Sequence, residues 1–113
     1  MNQEIQKQIL SQLSQSFISK VILFGSQATG TSEEDSDIDL LVVTKDQNIP
    51  ASFSEKMKVY NKVYWLLKDI KKQYSIDLLV YTQPLYEKFI SSDSMFSREV
   101  INNGKVIYEK QDN

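Results

Sequence analysis

Gly25 and Ser26, then ten residues, then Asp37-Ile38-Asp39 are the positions of this 113-residue chain whose types and spacing imply chemistry. A glycine lets backbone approach a phosphate closely, and the N–H groups beside it can form a concavity for an anion. Ser26 adds a hydroxyl donor. Gly30 offers a second close approach, with the hydroxyls of Thr29 and Thr31 at its side. On one strand, Asp37 and Asp39 point the same way, roughly 7 Å apart. Carboxylates so spaced can converge on two cations about 4 Å apart, which clamp the attacking and leaving oxygens of phosphoryl transfer. Without a partner they repel each other and sit badly beside Leu40-Leu41-Val42-Val43; a metal removes that conflict. Asp77, in the apolar run Ile76 to Tyr81, offers a third carboxylate in a costly place for a lone charge. If its strand neighbours the one after Asp37, it falls level with the pair, able to ligate metal and accept a proton from an attacking hydroxyl.

The elements that must position these residues are legible from periodicity. Ile5, Ile9, Leu10 and Leu13 form a helical stripe over 3–15. Residues 17–24 read as a strand, 25–36 as a loop with one helical turn, and 37–44 as a second strand. Its unbroken Leu-Leu-Val-Val run predicts a central strand buried on both faces. Ser54 caps a predicted helix over about 55–73, with Met57, Tyr60, Tyr64 and Leu67 on its apolar face. Val63, Trp65, Leu66 and Ile70 widen that face beyond what one sheet needs. Residues 76–82 read as a third strand. Pro84 starts a helix to about Ile90, a further helix covers 94–102 and ends at Asn103-Gly104, and 105–109 closes as an edge strand. The expected fold class is α+β: a mixed sheet with helices packed against it, in one domain over 1–113.

Composition removes whole classes of chemistry. The chain holds no Cys and no His, which excludes zinc sites on those ligands, Ser-His-Asp and Cys-His nucleophile systems, and imidazole acid–base catalysis. Any metal is held by oxygen, which favours Mg²⁺ or Mn²⁺. The formal charge of −2 shows no basic surplus, so no direct nucleic-acid partner is expected. No apolar run reaches the roughly 18 residues of a membrane helix, and the polar start Met1-Asn2-Gln3-Glu4 does not read as a signal peptide. With no cysteine, a reducing, cytoplasmic setting is expected.

Two other motifs come close and fail. Gly25 to Gly30 has Walker A spacing after a strand, but Thr31 stands where the lysine must be, and Glu33-Glu34-Asp35 is a poor helix start. Asp35-x-Asp37-x-Asp39 resembles the opening of a calcium loop, but Leu40 replaces the glycine of the turn.

Gly-Ser, ten residues, then Asp-x-Asp, with a further carboxylate on a later strand, resembles the signature of minimal nucleotidyltransferases in the DNA polymerase β-like superfamily. The motif covers about residues 18–82, and the element order extends the resemblance through the closing Gly104-Lys-Val-Ile-Tyr-Glu109. The resemblance implies the polymerase β-like nucleotidyltransferase fold. It implies that Gly25 and Ser26 hold the β- and γ-phosphates of ATP. Asp37 and Asp39 would bind two Mg²⁺, and Asp77 would complete one metal site and help deprotonate the acceptor. One departure stands out: many minimal members carry Arg just before the second glycine, where this chain has Thr29.

At 113 residues there is no room for the acceptor domain that larger relatives add. Small stand-alone members resemble the antitoxins of toxin–antitoxin pairs, whose partner is a helical ribonuclease toxin of the HEPN family. That resemblance implies AMP transfer from ATP to a tyrosine of the toxin. Two other readings stand beside it: a homodimeric enzyme acting on a small molecule, and an antitoxin that neutralises by contact without catalysis. Trp65 and Tyr64 are consistent with a partner surface, and also with core.

Overall fold

The computed structural model describes residues 1–30 and 37–110. Thr31 and the acidic stretch Glu33-Glu34-Asp35 lie outside the described residues. Nine elements follow in order: α1 (Gln3–Leu13), β1 (Ile18–Phe24), α2 (Ser26–Thr29), β2 (Ile38–Thr44), α3 (Phe53–Leu67), β3 (Ile76–Thr82), α4 (Gln83–Ser91), α5 (Met95–Asn103) and β4 (Lys105–Glu109). A single 3-10 turn, Ile70–Lys72, joins α3 to β3. The sheet order is β3-β2-β1-β4. β1 runs antiparallel to both β2 and β4, while β2 and β3 are parallel. Parallel neighbours need a crossover, and α3 supplies it.

The two faces of β2 are both covered, which explains its uninterrupted apolar run. Leu40 and Val42 pack with Ile9 and Leu13 of α1 and with Val63 and Leu67 of α3. Leu41 and Val43 face the other way, toward Val100 of α5 and Tyr86 and Phe89 of α4. All four are fully buried. The expected strand at 105–109 forms as an edge strand, and 76–82 forms over the predicted span.

α3 differs from expectation at both ends. Its cap is Ser52, not Ser54: the Ser52 hydroxyl accepts from the Glu55 N–H at 3.1 Å, and the Glu55 carboxylate accepts from the Ala51 N–H at 2.7 Å. The side-chain pair satisfies two amide donors that a start at Ser54 would leave open. The helix stops at Leu67, where the backbone tightens into the 3-10 turn before β3. Its buried edge also differs. Val63, Leu67 and then Ile70 face the core, Met57, Tyr60 and Tyr64 are half-buried flank residues, and Trp65 is 64% exposed.

Candidate active site

The site grows from the end of β1. Phe24 is the last residue of that strand, and Gly25 turns the chain into α2 with φ 71° and ψ −159°. That backbone conformation is essentially confined to glycine. Space imposes the same choice independently: a Cβ on Gly25 would fall onto Oδ2 of Asp39. The Gly25 carbonyl accepts from the N–H groups of Ala28 and Thr29 at 3.1 and 3.4 Å, so one helical turn forms at once. Ala28 and Gln27 are buried and anchor that turn. Among the described residues nothing engages the half-buried Ser26 hydroxyl. Gly30 ends α2 in the left-handed conformation, φ 75°. Its dihedral alone favours glycine, and among the described residues a Cβ there would meet nothing within 4 Å.

The carboxylates enter from the two parallel strands. Asp39 on β2 pairs with Asp77 on β3, and on its other side with Phe24 on β1. One row across the sheet therefore reads Asp77, Asp39, Phe24, directly beneath the Gly25 turn. The next row in, Leu79, Leu41 and Ile22, is apolar and packed under α4 and α5. Position at the strand ends is what leaves the carboxylates reachable: Asp39 is half-buried and Asp77 exposed.

Burial is the main reason that the Asp39 carboxyl titrates above the ordinary carboxylate range. The negative charge of Asp77, a hydrogen bond with the Asp77 side chain and the charge of Asp37 add to it, in that order. Asp37 precedes β2 and is exposed, and its push on Asp39 is the smallest of the three contributions from Asp77 and Asp37. Among the described residues, no three carboxylates stand close enough together to form a ready metal cage. The structure thus pairs Asp39 with Asp77, sets Gly25 against Asp39 with Ser26 next in the turn, and leaves Asp37 at the strand entrance. The proximity of Phe24 to Asp39 escaped the sequence reading, although strand alternation from Gly25 contained the signal. Phe24 continues into an aromatic chain, edge-on to Phe96 at 5.5 Å, with Phe96 in turn against Phe89 at 5.4 Å.

The profile of the polymerase β nucleotidyltransferase family matches residues 6–113. The chain belongs to the polymerase β-type nucleotidyltransferases. Two relatives from Methanocaldococcus jannaschii carry the name protein adenylyltransferase. One, MJ0141, is 31% identical over 99 residues, covering 87% of either chain. The other, MJ0604, is 33% identical over 91 residues, covering 80% of this chain and 79% of its own. Among solved structures, a toxin–antitoxin with AMP-PNP superposes with a TM-score of 0.52 at 21% identity, over 98% of this nucleotidyltransferase and 76% of that chain. A mutant of the toxin–antitoxin MntA–HpeT gives 0.53 at 20% identity, over 98% and 75%. These likenesses show the same α+β fold, a four-stranded mixed sheet flanked by helices.

Proposed function

We propose that this nucleotidyltransferase moves AMP from ATP to a hydroxyl, that of a tyrosine on a HEPN-type ribonuclease toxin, and so acts as the toxin's antitoxin. The observation that carries the reading is the Asp39–Asp77 carboxyl pair lying against a glycine turn with no room for a side chain. The names of the two archaeal relatives support adenylyl transfer to protein. The toxin–antitoxin neighbours support a toxin as acceptor. Residues 1–113 would work as one domain, with the acceptor presented by the partner.

The donor set fits Mg²⁺: oxygen ligands only, in a chain with neither His nor Cys. Burial first, and then the charges of Asp77 and Asp37, lift the Asp39 carboxyl, and a divalent cation would cancel the repulsive part. Asp39 and Asp77 would hold such ions, two in the full site, with Asp37 joining from the strand entrance. Bound there, they supply neutralisation of the triphosphate charge. The protein does the rest. The Gly25 turn and the Ser26 hydroxyl hold the β- and γ-phosphates, and Gly30 closes the turn. Asp77 takes the proton of the acceptor hydroxyl as its oxygen bonds to the α-phosphorus. The bond from that phosphorus to pyrophosphate breaks in the same exchange. Positioning and charge complementarity supply the acceleration.

The test is incubation with α-labelled ATP, Mg²⁺ and the product of the neighbouring gene. Label is expected on that protein's tyrosine and is expected to vanish with Asp39→Asn. Stable binding without label, alike in wild type and Asp39→Asn, would instead assign neutralisation by contact. Label recovered only on a small molecule would assign the small-molecule reading.

A further inference from the structure

The net charge of −2 conceals a strong segregation. Six of the 13 basic residues and two of the 15 acidic ones fall within 53–72, so that segment carries +4 while the rest of the chain carries −6. Of the six, Lys56, Lys58 and Lys62 lie on α3, Lys68 is its C-cap, and Lys71 and Lys72 lie in the 3-10 turn that follows. Both acids in the segment are already engaged. Glu55 caps the helix start through the Ala51 N–H, and Asp69 pairs with Lys72 at 3.4 Å. Lys62 pairs with Asp46. Among the described residues no carboxylate pairs with Lys56, Lys58, Lys68 or Lys71.

Aromatic rings stand among these lysines on the side of α3 that the core does not use. Phe53 is 77% exposed and Trp65 64%. The ring of Tyr60 stacks on that of Tyr64 with centroids 6.0 Å apart. Lys68 Nζ lies 4.5 Å from the Trp65 centroid, and Lys71 Nζ lies 5.1 Å from that of Tyr64. Exposed Trp65 with Lys68 beside it provides two different contacts: a ring face on which a base stacks, and a charge for its phosphate. At 1.5 Å per residue the track from Phe53 to Trp65 is about 18 Å long.

We propose that the outer face of α3, with Trp65, Tyr64, Lys58, Lys68 and Lys71 at its centre, binds single-stranded nucleic acid. Charge chooses this occupant over a protein. Interfaces between proteins share the aromatic anchors but are depleted in lysine, whereas a polyanion with stackable bases uses both residue types. The face lies across the sheet from the carboxylate side, because α3 packs with Leu40 and Val42 while Asp39 alternates to the face of Leu41. Nucleic acid held there leaves Asp39 and Asp77 open. It also lies near the site in the chain, since Lys72 precedes Asp77 by five residues. The average charge argued against such a ligand only because it summed a basic helix with an acidic remainder.

Trp65 is the chain's only tryptophan, so its fluorescence reports on this face alone. The experiment titrates the full chain with a 12-nucleotide oligouridine RNA at low salt. Trp65 emission is expected to be quenched, with affinity falling as salt rises by about 0.7 log units per log unit for each phosphate contacted. With a fluorescein-labelled copy of the RNA, Trp65→Ala is expected to weaken binding at least about fivefold. A Lys58→Gln, Lys68→Gln, Lys71→Gln triple variant should reduce both the affinity and the salt slope. These residues are on or near the surface, and circular dichroism confirms that each variant folds. Absence of quenching at low salt, or equal affinity in the triple variant, would overturn the proposal. So would preference for a 12-base-pair duplex, which offers no free base faces, or for poly-glutamate, which would make the face a site for acidic protein. Binding by Asp39→Asn should match wild type, which separates this site from the carboxylate pair.

Discussion

At Asp39 partial burial meets two like charges, and the result is a carboxyl that resists ionising. The consequence for stability has a definite sign. The folded state holds this proton to higher pH than the unfolded chain, whose value is 3.8. Stability of the metal-free protein therefore falls as pH rises from that value through the folded one, and the penalty persists above it. Asp39→Asn is expected to raise Tm in chelator at pH 7, with the gain shrinking below pH 4; a gain independent of pH would show that charge is not its cause. Asp77→Asn should keep nucleotide binding and lose turnover, read by equilibrium binding of ATP beside single-turnover transfer. Gly25→Ala combines a forbidden φ with collision against the Asp39 carboxylate. It should cost about 1–3 kcal/mol in urea unfolding and abolish transfer. At this scale the sequence reading named Gly25, Ser26, Gly30, Asp37, Asp39 and Asp77 as candidates, and it set Asp37 level with Asp39 because strand alternation makes spacing readable as direction. The left-handed φ of Gly30 was not legible there, because a dihedral leaves no mark in residue type that distinguishes it from close approach.

Elements were legible wherever both ends carried local signals. β3 was placed correctly because Pro84 follows an apolar run broken only by Asp77, and α5 to within one residue because Asn103-Gly104 ends it; Ser94, expected inside that helix, is its cap, the hydroxyl accepting from the Ser97 N–H at 3.1 Å. α3 was misplaced by two residues at its start because Ser52 and Ser54 are both plausible caps by type. The choice fell to which one has a glutamate three residues on: Ser52 has Glu55, while Ser54 has Met57. Ser52→Ala should lower stability by about 1 kcal/mol in chemical denaturation, whereas Ser54→Ala should leave it unchanged. The apolar stripe of α3 was also assigned partly to the wrong edge. Tyr60, Tyr64 and Met57 recur at helical spacing as convincingly as Val63 and Leu67 do. Only the sheet beneath decides which edge it meets, and it meets Val63 and Leu67.

For the whole molecule, two layers of helix enclose one sheet, and the load falls on β2. Leu41 is fully buried under α4 and α5, so Leu41→Ala should cost about 2–5 kcal/mol in urea unfolding. Divalent cation adds a global readout for the carboxylates: Mg²⁺ should raise the Tm of wild type and leave that of Asp39→Asn unmoved. Equal shifts in both would place the ion elsewhere. The sequence by itself determined the chemistry available: carboxylate, hydroxyl and backbone, with no imidazole or thiol. It also determined the family, because the ten-residue gap and the strand alternation are local properties of the chain. The tertiary structure decided what local properties cannot carry. It set Asp77 beside Asp39, through parallel pairing of segments 38 residues apart in number. It held Asp37 at the margin of that pair. And it turned Lys58, Phe53 and Trp65 of α3 outward, because the core has room for only one edge of a helix.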